Sequence, residues 1–304
     1  MVYIEQFALK GKKYYRLVHT IRKGNKITHR AKYIGKELPK KGRLEQLKKE
    51  FLFEIMNNKK YKYLSTGDIE KIESKRLEYK KELKNLDYIE KEKNLNEFII
   101  RFTYDSSKLA GVNVTLRQTY LILREGIIPE NIKNLKNVRE LENHQKVFII
   151  LTKYKGKLNL KFIKKIHKIL FLGVNDEIAG KLRNELKINV KLAGTSYVPP
   201  KWDALEKELN VFFKWYKSEN KKLHPLELAS LIHLKLISIQ PFADGNSRLS
   251  RLLMNWILWK YNYPLIDIPI EDLENYYRNL DMYQMEKDEK SFINYIKERY
   301  LKFW

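Results

Sequence analysis

Apolar and polar positions alternate with a period of two through the first 35 residues, then shift to a spacing of three and four. Segments 3–9, 14–21 and 27–35 alternate and are rich in Tyr, Ile, Val and Thr, which predicts short strands. Gly11-Lys12-Lys13 and Lys23-Gly24-Asn25-Lys26 separate them with residues suited to turns. Residues 1–43 therefore read as a small antiparallel meander. From Gly42 to about Arg101 the apolar positions Leu44, Leu47, Phe51 and Ile55 recur at helical spacing, which predicts a helical connector over 44–102. Ser65-Thr66-Gly67-Asp68 marks a helix start, with Asp68 or Thr66 as the cap. Residues 103–304 are helical throughout except for one stretch of strand character, 188–200. No repeat or low-complexity tract occurs. The expected fold is mainly α, a helical domain over 103–304 preceded by the connector and the meander.

Composition narrows the function classes. The 304 residues are 43% hydrophobic and 12% aromatic, enough for a packed core. The absence of Cys excludes disulfides, thiolate metal sites and thiol nucleophiles, and fits a reducing interior. No run approaches the ~18 apolar residues of a membrane span, and the first residues lack the pattern of a signal peptide. A soluble, cytoplasmic protein without a membrane partner is expected. The six His show no metal-ligand spacing. Net charge is +24, which favours an anionic partner. The surplus is densest in residues 1–43, where 13 Lys or Arg face only Glu5 and Glu37. Basic, aromatic strands of this kind can bind nucleic acid through phosphates and stacking, or form a capping sheet on the main domain. Both readings stay open at this point.

The candidate chemistry lies near residue 240. One helical pattern runs from His224 into Ile239-Gln240-Pro241-Phe242-Ala243-Asp244-Gly245-Asn246-Ser247-Arg248, and another runs out from Leu249 to Tyr261. Gly245 permits a positive φ, so the backbone N–H groups after it can converge on an anion at a helix N-terminus. Arg248 and Arg251 are three apart and share a helix face. Two guanidinium forks beside such a nest suit a polyphosphate.

This segment resembles the signature of the Fic family, His-x-Phe-x-Asp/Glu-Gly-Asn-Gly-Arg-x-x-Arg. Phe242, Asp244, Gly245, Asn246, Arg248 and Arg251 match six of its eight fixed places. Other landmarks follow the family's order: Leu141-Glu142-Asn143-His144, the helix with His167, Gly180-Lys181-Leu182-Arg183, Gly194 to Pro200 and Tyr276-Tyr277-Arg278-Asn279-Leu280. The likeness covers about 100–304. It implies a helical bundle with one β-hairpin flap, at 188–200, that binds ATP and Mg²⁺ and transfers AMP to a protein hydroxyl. By resemblance, Asp244 holds Mg²⁺. Gly245, Asn246, Ser247 and Arg248 bind the α- and β-phosphates and Arg251 the γ-phosphate. Tyr276 and Tyr277 line the adenine pocket. Thr195 and Tyr197 belong to a flap that docks the target protein by strand addition, although Tyr197 also suits simple packing.

Three departures bear on activity. Gln240 stands where the family has its catalytic His, and a carboxamide has no useful basicity, so general-base catalysis is expected to be lost. Ser106 to Thr115 resembles an inhibitory helix that carries Ser-x-x-x-Glu-Gly in relatives, with Ala110 in place of the Glu before Gly111. Arg251 is therefore expected to be free. Ser247 replaces the second Gly of the signature, a milder change. The expectation is an impaired adenylyltransferase, with a catalytically inactive nucleotide- or nucleic-acid-binding protein as the alternative. His233, seven residues before Gln240, is expected to be a core residue rather than a substitute base.

Overall fold

The computed structural model describes residues 2–9, 11–23, 26–57 and 61–303. The chain divides into two units, residues 1–62 and 63–304. In the first, β1 (Val2–Leu9), β2 (Lys12–Lys23) and β3 (Lys26–Gly35) form an antiparallel sheet in that order, followed by α1 (Lys41–Asn57). Gly11 makes the first turn at φ +72°, open to a residue without Cβ. The turn expected at Gly24-Asn25 lies outside the described residues. Leu17 and Val18, adjacent on the middle strand and so on opposite faces, are both buried.

The second unit is helical: α2 (Thr66–Asn85), α3 (Tyr88–Lys108), α4 (Leu116–Tyr120), α5 (Leu135–Lys153), α6 (Leu160–Phe171), α7 (Arg183–Leu186), α8 (Leu205–Glu219), α9 (Pro225–Ile239), α10 (Asn246–Lys260), α11 (Leu273–Glu286) and α12 (Glu289–Phe303). The segment expected as a connector is divided, with α1 in the first unit and α2 and α3 in the second. Two polar ties hold α2 there. Glu227, near the start of α9, accepts the N–H groups of Tyr63 and Leu64. Arg76 donates to the carbonyls of Tyr261 and Asn262 and lies 4.1 Å over the Tyr263 ring. The cap of α2 is Ser65, not Asp68 or Thr66. Its side chain accepts the Asp68 N–H while the Asp68 carboxylate accepts the Ser65 N–H, which satisfies two orphan donors at once.

Helix α9 is the centre of this unit. Nearly every residue from Leu226 to Ile239 is buried, because α8, α10, α11 and α12 all pack on it. An all-round apolar helix is stable only when so enclosed. His224 caps it by accepting the Leu226 N–H, and Pro225 fills the first helical position, where no N–H is needed. Among the described residues, no helix is long and apolar enough to cross a membrane.

The segment expected as one helix over 106–115 is broken. Helix α3 ends at Lys108, Gly111 turns the chain at φ +86°, and Thr115 caps α4. Just before that break, Asp105 is fully buried; it accepts from Arg101 and from the Ile270 N–H, so it fixes the last turn of α3 against the 263–272 segment. Asp267 faces it. Burial, and then the neighbouring Asp105, push the Asp267 carboxyl well above its usual range. A raised carboxyl binds its proton more tightly folded than unfolded. Its ionisation therefore costs stability as pH rises from the ordinary aspartate range through the raised value. Asp267→Asn, which keeps a neutral hydrogen-bonding group, is expected to gain roughly 1–3 kcal/mol at pH 8 relative to the parent, and to gain little at pH 4. Urea melts at the two pH values check this.

Candidate functional site

The motif forms the link between α9 and α10. Gln240 lies just past α9 in the left-handed region, φ 52° and ψ 62°, with its N–H still on the Leu236 carbonyl. Pro241 follows and cannot continue the helix. The loop then closes on itself. Asn246 Oδ1 accepts the Phe242 N–H at 2.9 Å, and Asn246 Nδ2 donates to the Phe242 carbonyl at 2.8 Å and to Gln240 Oε1 at 2.6 Å. Gln240 Nε2 donates to the Ile237 carbonyl at 2.7 Å. Both ends of both carboxamides are thus engaged within the loop, and the donor and acceptor environments fix which end is which.

The underside of the loop rests on α6. Phe242 is fully buried and stacks on His167 at 3.7 Å with the rings 3° from parallel. His167 Nδ1 accepts the Gly180 N–H, so Nε2 carries the proton and donates to the Asp244 carbonyl at 2.9 Å. Burial pulls the pKa of this imidazole to about 4, so it is neutral at physiological pH. Gly245 is required twice over: its φ is +75°, and a Cβ would sit 2.3 Å from the Phe171 ring. No side chain caps α10, whose first N–H groups have no intrahelical partner. The Asp244 side chain points outward, 66% exposed. Ser247 is half-buried at the first turn, its carbonyl accepting from Ser250.

The two arginines are not open. Arg248 is buried and donates through Nη1 to the Glu140 carboxylate of α5, while its Nη2 is 3.6 Å from Asp244 Oδ2. Arg251 is 1% exposed and donates to the Ser106 hydroxyl at 3.0 Å and to the Ser106 carbonyl at 2.7 Å. The expectation of a free Arg251 is corrected. Uncharged groups of α3 hold it, while Ala110 is exposed beyond the end of that helix. Tyr276 is buried beside Arg251, its hydroxyl 3.0 Å from His233 Nε2. Of the two tyrosines expected at an adenine pocket, only Tyr277 is exposed, at 45%. His233 is fully buried and stacked on Phe292, and burial lowers its pKa to about 3. It is a core residue.

The 188–200 segment turns at Ala193-Gly194 but carries no paired strands, which corrects the expected hairpin. Its would-be ladder groups are diverted or missing. Arg183 Nη1 takes the Ile188 carbonyl and Nη2 the Pro200 carbonyl, and Pro199 and Pro200 offer no N–H. Thr195 and Tyr197 face inward: the Thr195 hydroxyl donates to Asp281 of α11 and the Tyr197 hydroxyl to the Ser238 carbonyl of α9. Val198, at 76%, is exposed here, as are Ala193 and Ser196.

Glu140 and the clamping role of Arg183 escaped the motif reading. Glu140 precedes Asn143 and His144 by three and four residues and so shares their helix face, a signal that places it toward the site. Asn143 itself ties α5 to the end of α6 by donating to the Leu170 and Leu172 carbonyls.

Comparison with known proteins points to one family. Residues 157–258 match the model of the Fic/DOC family. The chain is 30% identical over 206 residues to a protein adenylyltransferase Fic of Nematostella vectensis, covering 66% of this chain and 47% of the relative. It is 32% identical over 203 residues to the Drosophila melanogaster protein of that name, covering 66% and 40%. The match thus spans less than half the length of these relatives. A Fic domain containing signaling protein from Bacteroides thetaiotaomicron superposes with a TM-score of 0.69 at 28% identity, covering 77% of this chain and 93% of that one. Fic-1 of C. elegans shares the fold, with a TM-score of 0.65 at 20% identity over 87% of this chain and 76% of that one. The family match and these likenesses together identify residues 157–258 as a Fic/DOC-family domain.

Proposed function

We propose that this chain binds ATP with Mg²⁺ at the 240–251 loop and is an adenylyltransferase of protein hydroxyls whose transfer step is impaired. The observation that carries the reading is the state of Gln240. The loop around it is closed by Asn246, yet its own carboxamide is committed at both ends to Asn246 and Ile237 and offers no basic atom. Relatives named as protein adenylyltransferases support the transfer chemistry.

The residues present fit the proposed ligands. The exposed Asp244 carboxylate is a hard oxygen donor at the mouth of the loop, suited to a cation that keeps most of its remaining sites for water and phosphate. When bound, Mg²⁺ supplies charge neutralisation on the phosphates. The uncapped first turn of α10 offers N–H donors to an anion. Asn246 serves by holding the loop rather than by reaching outward. Arg248 is available to phosphate in exchange for Glu140, so this carboxylate acts as an internal competitor. Arg251 lies among neutral partners, where a γ-phosphate would replace the Ser106 contacts. Val198 and the tip around it provide the surface for a protein target.

Two expected outcomes follow. In calorimetry with ATP–Mg²⁺, Arg248→Ala weakens binding about tenfold or more and Glu140→Gln strengthens it, both on the ~1.5–3 kcal/mol scale of charge-assisted hydrogen bonds. In transfer of label from the α-phosphate into protein in a cell extract, Gln240→His raises the rate by at least about tenfold, the low side of the ~10²–10⁴-fold span of base catalysis. Binding with no transfer by either form would replace the enzyme reading with that of a nucleotide-holding regulatory protein.

A further inference from the structure

The three-stranded sheet of the N-terminal unit presents a face that the nucleotide site leaves unexplained. Directly opposed residues of an antiparallel pair share a face. The register sets Tyr3 opposite Val18, Glu5 opposite Arg16 and Phe7 opposite Tyr14; on the other side of β2, Arg16 opposes Tyr33. Phe7, Tyr14 and Tyr33 therefore lie on one side of the sheet, one from each strand. Their rings are in sequence, 5.8 Å from Phe7 to Tyr14 and 6.0 Å from Tyr14 to Tyr33. The Arg16 guanidinium sits 4.9 Å over Phe7 while binding Glu5 at 2.6 Å. Tyr33 is 57% exposed and Tyr3, on the same face, 44%. Phe7 and Tyr14 are half-buried and hold the row in order, while Tyr33 and Tyr3 stand exposed at its margins.

Charge selects the occupant. Residues 1–43 carry 13 Lys or Arg and two acids, and one of those acids, Glu5, is already neutralised by Arg16. Lys12, at the edge of the aromatic face, and Lys13 are exposed. We propose that this face binds single-stranded nucleic acid, with unpaired bases stacked on Tyr33 and Tyr3 and phosphates held by the surrounding Lys and Arg. A polyanion answers the charge, and only one with accessible flat rings also answers the aromatic row. Duplexes answer the charge alone, since their bases are stacked inside the helix. The proposal is independent of the nucleotide reading of the 240–251 loop.

The test uses the full chain and fluorescein-labelled oligo(dT) and oligo(U) of about 15 nucleotides, followed by anisotropy at about 0.15 M salt, where weak charge-only attraction is screened. Tyr33→Ala is expected to weaken binding about tenfold and Tyr33→Phe, which keeps the stacking ring, less than about twofold. Tyr88→Ala removes a still more exposed ring from α3, 77% exposed, and is expected to change nothing. A duplex of the same length should compete at least about tenfold less well. The two oligonucleotides distinguish DNA from RNA. The proposal is overturned if the parent binds neither oligonucleotide, if Tyr33→Ala behaves like Tyr88→Ala, or if polyglutamate competes as well as the oligonucleotides, which would reduce the surface to bare charge.

Discussion

Arg183 is wholly buried, and its guanidinium is satisfied by backbone carbonyls rather than by a carboxylate: those of Ile239 and Gln240 at the end of α9, and those of Ile188 and Pro200 at the two ends of the 188–200 segment. Its own N–H donates to the Pro241 carbonyl. The end of a helix is where unpaired carbonyls and the dipole favour a cation, which offsets part of the cost of burying one. That cost is visible as a guanidinium pKa lowered by desolvation. One group therefore ties together the end of α9, the start of the motif loop and both ends of the neighbouring segment. The same contacts consume the carbonyls that a hairpin would have used.

Around that anchor the loop is stabilised by neutral groups. The His167 tautomer is fixed by the Gly180 N–H on one nitrogen, and its other nitrogen supports the Asp244 carbonyl. Asn246 and Gln240 close the loop with carboxamides. These contacts hold the loop through hydrogen bonds that need no charged group. In the adenylyltransferase reading proposed above, position 240 would have a structural part, which Gln240 fills by hydrogen bonding, and a chemical part, which needs a base.

Charge is distributed unevenly between the two tasks proposed for the chain. The arginines beside the motif are internally engaged, Arg248 by Glu140 and Arg251 by Ser106. The charge of Arg248 is paired, while that of Arg251 faces only a hydroxyl and a carbonyl. The surplus behind the net charge of +24 is densest in residues 1–43, where 13 Lys or Arg face two acids next to exposed tyrosines. A single anionic partner at the motif would not account for it.

The sequence by itself determined what short-range patterns encode. Alternation over 2–35 determined three strands, and helical spacing determined the helices on both sides of residue 240. The turn at Gly245 was legible because its φ and the offsets of its neighbours are properties of a few consecutive residues. The resemblance to the Fic family was read from the same local signatures, and the family model matches residues 157–258. Tertiary structure alone decided the rest. Ser106 meets Arg251 across 145 residues and Glu140 meets Arg248 across 108. A polar residue on a helix face has no periodic mark that names its partner. Whether Arg251 was free, and whether 188–200 paired as strands, depended on which groups packing brought near. Local sequence sets the conformation of a segment, but hydrogen bonds between distant segments are allotted only when burial forces each polar group to find a partner.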